Sequence, residues 1–169
     1  MDKTDAYFMN LALDQARAAL DAGEFPVGCV IADGPRVLAV GRRQGSAGSM
    51  ANETDHAEMV ALRRLACAGR SLTLYSTLEP CLMCFGAAVL SGVNRIVYAY
   101  EDVMGGACDC DLRRLKPLYR GMQTQICAHV RRADALALFQ SFFGNPDHCY
   151  WSDSMLAQYT LAQPRGPKR

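Results

Sequence analysis

The sequence predicts an α/β fold in which helices cover both faces of a central sheet. Short strand-like runs rich in Val, Ile and Leu alternate with longer segments of helical period along most of the chain. A length of 169 residues is usual for one compact domain, and 50% hydrophobic residues are enough to bury a substantial core. No internal repeat or linker interrupts the pattern. A single domain is therefore expected over residues 1–163, with PRGPKR (164–169) as a disordered tail.

Taken in order, Phe8, Leu11, Ala12, Ala16, Ala19 and Leu20 recur at helical spacing, which predicts a helix from Thr4 to Ala22, ended by Gly23. PVGCVIA and RVLAVG flank Asp33-Gly34-Pro35 and read as two strands joined by a tight turn. RQGSAGSMANE is a loop of small residues. A helix over Thr54–Ala68, a strand LTLYST, a helix over Pro80–Leu90 and a strand RIVYAY follow. After the cysteine-containing loop VMGGACDCD, QTQICAHV reads as the last strand. Ala135–Phe143 reads as a helix with Leu136, Phe139 and Phe143 on one face.

Charge and composition exclude several classes of protein. Lys plus Arg is 18 against 17 Asp plus Glu, a net charge of +1, so no global field gathers a polyanion. Local concentrations exist at Arg113, Arg114, Lys116 and Arg120, at Arg131 and Arg132, and at Arg165, Lys168 and Arg169. Their commoner use is a solvated face. MDKTDAYFMN carries acids where a secretory signal would carry bases, and no apolar run approaches the roughly 20 residues of a membrane span. A cytoplasmic protein without a membrane partner is expected. For the same reason the eight cysteines read as reduced thiols or metal thiolates rather than as a disulfide framework.

Two stretches carry chemistry. In NETDHAEMVALRRL, His56 and Glu58 stand two residues apart at the expected start of a helix. Mid-helix they would point roughly 200° apart, at about 100° per residue, so they converge only around a helix N-terminus. In TLEPCLMCFGAAVL, Pro80 suits a first helical turn, and Cys81 and Cys84 share a face beside the positive end of that helix, which favours thiolates. Alone, this CxxC could also be a redox dithiol or two core cysteines, although no thioredoxin-like context precedes it. With His56, however, the cysteines supply one nitrogen and two sulfurs, the donors zinc takes, and leave a fourth tetrahedral position open for catalysis. Zinc lowers the pKa of a bound water to about 7, and Glu58 is then placed to move the proton.

HAE followed by PCLMC resembles the HxE…PCxxC signature of the zinc-dependent cytidine and adenosine deaminase superfamily. The similarity continues through FPVGCVIADGPRVLAVG and SGVNRIVYAYED, and is greatest to the branch holding bacterial tRNA adenosine deaminases and guanine deaminases. The resemblance implies a three-layer αβα sandwich, cytidine-deaminase-like, with a central, mostly five-stranded sheet, and a homodimer whose active sites are partly built by the neighbouring chain. It implies one zinc per chain on His56, Cys81 and Cys84. Glu58 would pass a water proton to a ring nitrogen and then to the departing amine, turning C–NH2 into C=O with release of ammonia.

Departures from the pattern bear on the substrate. Arg43 stands where the family usually has an Asn that contacts the bound base or nucleoside, and guanidinium only donates. Gln44 or Asn52 is a candidate to take over that contact. The loop before His56 is also about two residues longer than in the tRNA enzymes. Asp102 falls where those enzymes carry an Asp that meets the ribose backbone, although a solvated strand end is an equal reading. Phe142, Phe143, Tyr150 and Trp151 are candidates for an aromatic lid over a planar base, with core packing the commoner use. Arg43, Asp102 and Phe143 are thus the candidate substrate contacts.

Five further residues have plainer roles as the default. Cys108 and Cys110 offer, with Cys81 and Cys84, an all-thiolate structural site that would leave His56 and Glu58 idle. His129 and His148 have no spaced partner, and Glu79 complements the dipole of the following helix. The expected substrate is a free base or nucleoside, with adenosine in tRNA as the alternative. A zinc-stabilised non-catalytic partner subunit is the reading that loss of Glu58 would have marked.

Overall fold

The computed structural model describes residues 3–47, 52–66 and 71–164. Its elements run α1 (Lys3–Asp21), β1 (Gly28–Asp33), β2 (Arg36–Arg42), α2 (Ala57–Arg63), β3 (Leu72–Leu78), α3 (Leu82–Leu90), β4 (Val93–Tyr100), a 3-10 turn (Leu112–Arg114), α4 (Pro117–Arg120), β5 (Gln125–Cys127), α5 (Arg132–Phe143) and α6 (Met155–Ala162). The sheet order is β2-β1-β3-β4-β5. β1 pairs antiparallel with both β2 and β3, whereas β3, β4 and β5 are parallel. β1, β3 and β4 are covered on both faces and are buried almost throughout, as parallel-type strands are.

α1 and α5 pack on one face of the sheet, α2 and α3 on the other, which gives the expected three layers. Two glycines set how closely the helices approach. A Cβ at Gly28 would lie 2.1 Å from the Ala12 carbonyl of α1, and one at Gly41 would lie 2.1 Å from the Ala57 carbonyl of α2. Each helix therefore crosses its strand backbone to backbone, and the second crossing fixes the first turn of α2, where His56 is the N-cap.

Several elements differ from the sequence expectation, among them the 3-10 turn and α4, for which no element was expected. α2 begins at Ala57 rather than Thr54, because the Asn52 carboxamide accepts both the N–H and the hydroxyl of Thr54 and folds that segment as an Asx turn. It also ends at Arg63, with Arg64 as its C-cap, short of the expected end near Ala68; Ala68 itself and 165–169 of the tail lie outside the described residues. β5 is three residues long, and only Arg95, Ile96 and Val97 of β4 pair with it. α6 was not expected. Ser154 caps it by accepting the Ala157 N–H at 3.1 Å, and Leu156, Ala157 and Thr160 are its buried side.

Candidate metal and active site

The site lies at the carboxyl edge of the sheet, where β2 and β3 each lead into a helix on the same face. His56 and Cys81 are the N-caps of α2 and α3, and Cys84 is in the first turn of α3. The imidazole Nδ1 is 3.5 Å from the sulfur of Cys81 and 3.5 Å from that of Cys84. All three donor atoms lie within 4.8 Å of one another. Bonds of about 2.3 Å to sulfur and 2.0–2.1 Å to nitrogen at tetrahedral angles place N and S roughly 3.6 Å apart, so these residues fit a zinc ion without rearrangement. The other ring nitrogen, Nε2, is 3.8 Å from the Glu53 carboxylate. A carboxylate behind a histidine ligand commonly orients the ring and raises its basicity.

Glu58 is 3% exposed and reaches the cluster from the second position of α2. Its Oε1 accepts the Ser76 hydroxyl at 2.9 Å, and its Oε2 is 3.5 Å from the Cys84 sulfur. Burial pushes its carboxyl above the usual range. A buried carboxyl whose neutral form is favoured in this way can both take and return a proton. The neighbouring Cys84 thiol holds Cys81 down at about 4, with His56 adding to the effect, while the same contact and burial push Cys84 up. Hydrogen bonding to Cys81 in turn raises His56.

Around this centre is a cavity of about 60 Å³, well below the roughly 300–1,000 Å³ of common ligand sites. Phe25, Val27, Ala57 and Leu78 supply apolar wall, and Arg43, Glu79, Asp102, Tyr150 and Trp151 line the rest beside His56, Glu58 and Cys81. Asp102 is buried, and its Oδ1 accepts the N–H groups of Met104 at 3.0 Å and Gly105 at 2.9 Å. It is therefore a loop anchor as well as a wall residue, and not a solvated strand end.

The structure relocates several expected residues. Phe143 does not line the pocket. It packs against Phe25 at 5.7 Å and Phe142 at 5.5 Å, because α5 turns its apolar face onto the sheet. Arg43 lines the pocket but is only 2% exposed, and its terminal nitrogens bond Asn52, Glu53 and Tyr150. Neither Gln44 nor Asn52 takes over the contact. Both are exposed and off the pocket, and the Asn52 side chain is spent on Thr54 and Asp55. Among the described residues the metal-ligating cluster is His56, Cys81 and Cys84, without Cys108 or Cys110. His129 pairs with Glu101 at 3.4 Å, and His148 stacks on Phe142.

Glu79 does more than complement a dipole. Its carboxylate accepts the N–H groups of Asp102 at 3.3 Å and Cys108 at 3.1 Å, so it pins the loop that forms one side of the pocket. A Cβ at Gly106 would come within 2.5 Å of that carboxylate, so the loop closes over it only with glycine there. Phe25, Val27 and Leu78 carried no sequence signal of their own. Ser76 offered a hint as a hydroxyl inside a buried strand, since such a group must find a partner.

Residues 2–100 match the model of the cytidine and deoxycytidylate deaminase zinc-binding region. The chain belongs to this deaminase family. It is similar to the tRNA-specific adenosine deaminase of Buchnera aphidicola subsp. Schizaphis graminum, at 32% identity over 83% of this chain and 95% of that one. Among solved structures, a chain from a study of A-to-I editing by tRNA:A34 deaminases at the wobble position of transfer RNA superposes with a TM-score of 0.66. Their identity is 28%, over 78% of this chain and 98% of the other. The guanine deaminase of Nitrosomonas europaea has the same fold, with a TM-score of 0.61 at 22% identity over 80% of this chain and 82% of its own.

The deaminase is accordingly a hydrolase of amidine C–N bonds with a zinc-dependent mechanism, acting on a base or nucleoside that bears the amidine. His56, Cys81 and Cys84 would hold a zinc ion, which when bound would supply the Lewis acidity that makes water nucleophilic near neutral pH. Glu58, buried and oriented by Ser76, is the group that can accept a proton and return it to a leaving amine. No helix among the described residues is long and apolar enough to cross a membrane.

Proposed function

We propose that this deaminase converts adenosine to inosine within tRNA. The observation that carries the reading is near-complete correspondence with a tRNA-specific adenosine deaminase, over 95% of that protein's length, in a chain whose own His56, Glu58, Cys81 and Cys84 form a fitted site. A similar enzyme from Bacillus subtilis, 30% identical over 82% of this chain, supports it. In the reaction Glu58 takes a proton from the attacking water and delivers it to a ring nitrogen, then takes the remaining proton of the added hydroxyl and passes it to the departing amine. The C–N bond breaks, a C=O bond forms and ammonia leaves. Asp102, buried at the pocket wall, is the proposed contact to the sugar side of the nucleotide.

A second reading, a free base or nucleoside as substrate, is favoured by one specific observation. Tyr150 and Trp151, from the segment after α5, line the small pocket and narrow it. The test is ammonia release from zinc-loaded enzyme given adenine, guanine, cytosine, their nucleosides and an anticodon stem-loop. Conversion of the stem-loop alone supports the tRNA reading. Ammonia from a free base or nucleoside, with an inert stem-loop, replaces it by the second. The reading includes a homodimer, supported by Leu82, 67% exposed directly after Cys81, and by exposed Val103 and Met104 directly after Asp102.

A further inference from the structure

We propose that Arg43 is a positioning residue that latches Tyr150, and through it Trp151, as the aromatic wall on which the target base stacks. Its neighbours leave it little freedom to contact substrate itself. Nη1 donates to the Asn52 carbonyl at 2.6 Å, and Nη2 donates to the Glu53 carboxylate at 3.3 Å and to the Tyr150 hydroxyl at 3.2 Å. The guanidinium also lies over the Tyr150 ring, 5.5 Å from its centroid.

The latch is closed from the other side as well. The Tyr150 hydroxyl donates to the Glu53 carboxylate at 2.8 Å, so Arg43, Glu53 and Tyr150 form a triangle of bonds. Tyr150 stacks on Trp151 with centroids 5.0 Å apart and planes 12° apart, and Phe25 packs against both rings at 5.4 and 6.1 Å. Trp151 has φ of 54°, a left-handed backbone that a bulky residue adopts only when its surroundings hold it there. A stacked, strained, doubly anchored pair of rings beside His56 and Glu58 is placed to receive a planar ring. The segment after α5 thus carries the wall, and Arg43 ties it to the loop that leads into α2.

The proposal rests on the deaminase reading but not on the choice of tRNA as substrate. Trp151 is the single tryptophan of the chain, so its emission reports stacking directly. The probes are adenine, adenosine, guanine, cytosine and an anticodon stem-loop. Each is titrated into zinc-loaded Glu58→Gln protein, which does not consume the ligand. At least one probe should quench the emission saturably. Tyr150→Phe, which keeps the ring and loses the hydroxyl, should raise the Kd of that probe roughly 3- to 10-fold and reduce the quench, as expected for one lost ordering bond. Arg43→Lys, which restores one donor, should recover part of the effect that Arg43→Met abolishes.

If Arg43 variants fail to fold, Tyr150→Phe alone decides, because Tyr150 lies at the half-exposed end of the latch. Unchanged Kd and unchanged quench in folded Tyr150→Phe would make the latch merely structural and overturn the proposal. Absence of a saturable emission change with every probe overturns it too. An inert stem-loop with quenching by a free base would overturn the tRNA reading and leave the latch standing. Conversion of the stem-loop by wild type without any emission change does the reverse.

Discussion

Glu58 shows how far residue type and spacing reach. His56, Glu58, Cys81 and Cys84 were legible because their geometry is local: each pair occupies the start of one helix, where neighbouring side chains converge whatever the rest of the fold does. The roles of zinc ligand and proton carrier separate in one experiment. Glu58→Gln keeps the size and the Ser76 contact but removes the base, so zinc content should remain near one per chain while turnover falls about 10²- to 10⁴-fold. Metal analysis beside ammonia release reads both, and loss of zinc from the variant would make Glu58 a ligand. Arg43 and Phe143 were not legible in this way. A position in a sequence pattern gives the side chain but not its direction, and the partners that turn Arg43 away from the substrate include, beside Asn52 and Glu53, Tyr150, 107 residues later.

At the scale of elements, the main helices and strands followed from periodicity, and the misses lie where tertiary partners outweigh it. α6 is short and has no sharp apolar stripe, and what holds it is a polar cluster assembled from three elements. The Glu101 carboxylate, just after β4, accepts Arg132 Nε of α5 at 2.8 Å and the Tyr159 hydroxyl of α6 at 2.6 Å. Tyr100 meets Thr160 at 3.1 Å, and the Gln140 amide caps the Gln163 carbonyl at 2.9 Å. Burial alone would raise the Glu101 carboxyl, but the bonds from Arg132 and Tyr159 prevail and hold it at about 2.

A folded pKa below the unfolded one contributes stability that is present above about 4.5 and is lost as pH falls through about 2. Glu101→Gln should therefore destabilise by about 1–3 kcal/mol near neutrality, less than the full shift implies because the cluster is partly solvated. Urea unfolding of wild type and variant across pH reads the difference, which should be constant above about pH 5 and shrink towards pH 2. A constant gap down to pH 2 would mean that packing of α6, not the charge, is what the variant loses.

For the whole molecule, the proposed tRNA substrate raises the question of how a chain of net charge +1 would engage a polyanion. Attraction must then be local. The segment between β4 and β5 presents Arg113, Arg114, Lys116 and Arg120, all exposed, and Arg113 is already paired with Asp111 at 2.8 Å. Three further cations imply a footprint of about three phosphates, and hence a log–log slope of affinity on salt of roughly −2 to −3. The KM for an anticodon stem-loop should rise with that slope. Replacing Arg114 and Lys116 with Ala should flatten the slope by about 1 to 2 while leaving zinc content unchanged, because the phosphate term is separate from the chemistry at Glu58. A neutral base entering the pocket meets none of these charges, so its KM should not respond to salt in either protein. If the stem-loop KM is as indifferent to salt as that of a free base, the basic segment is a solvated face, and the narrowing by Tyr150 and Trp151 becomes the better guide to the substrate.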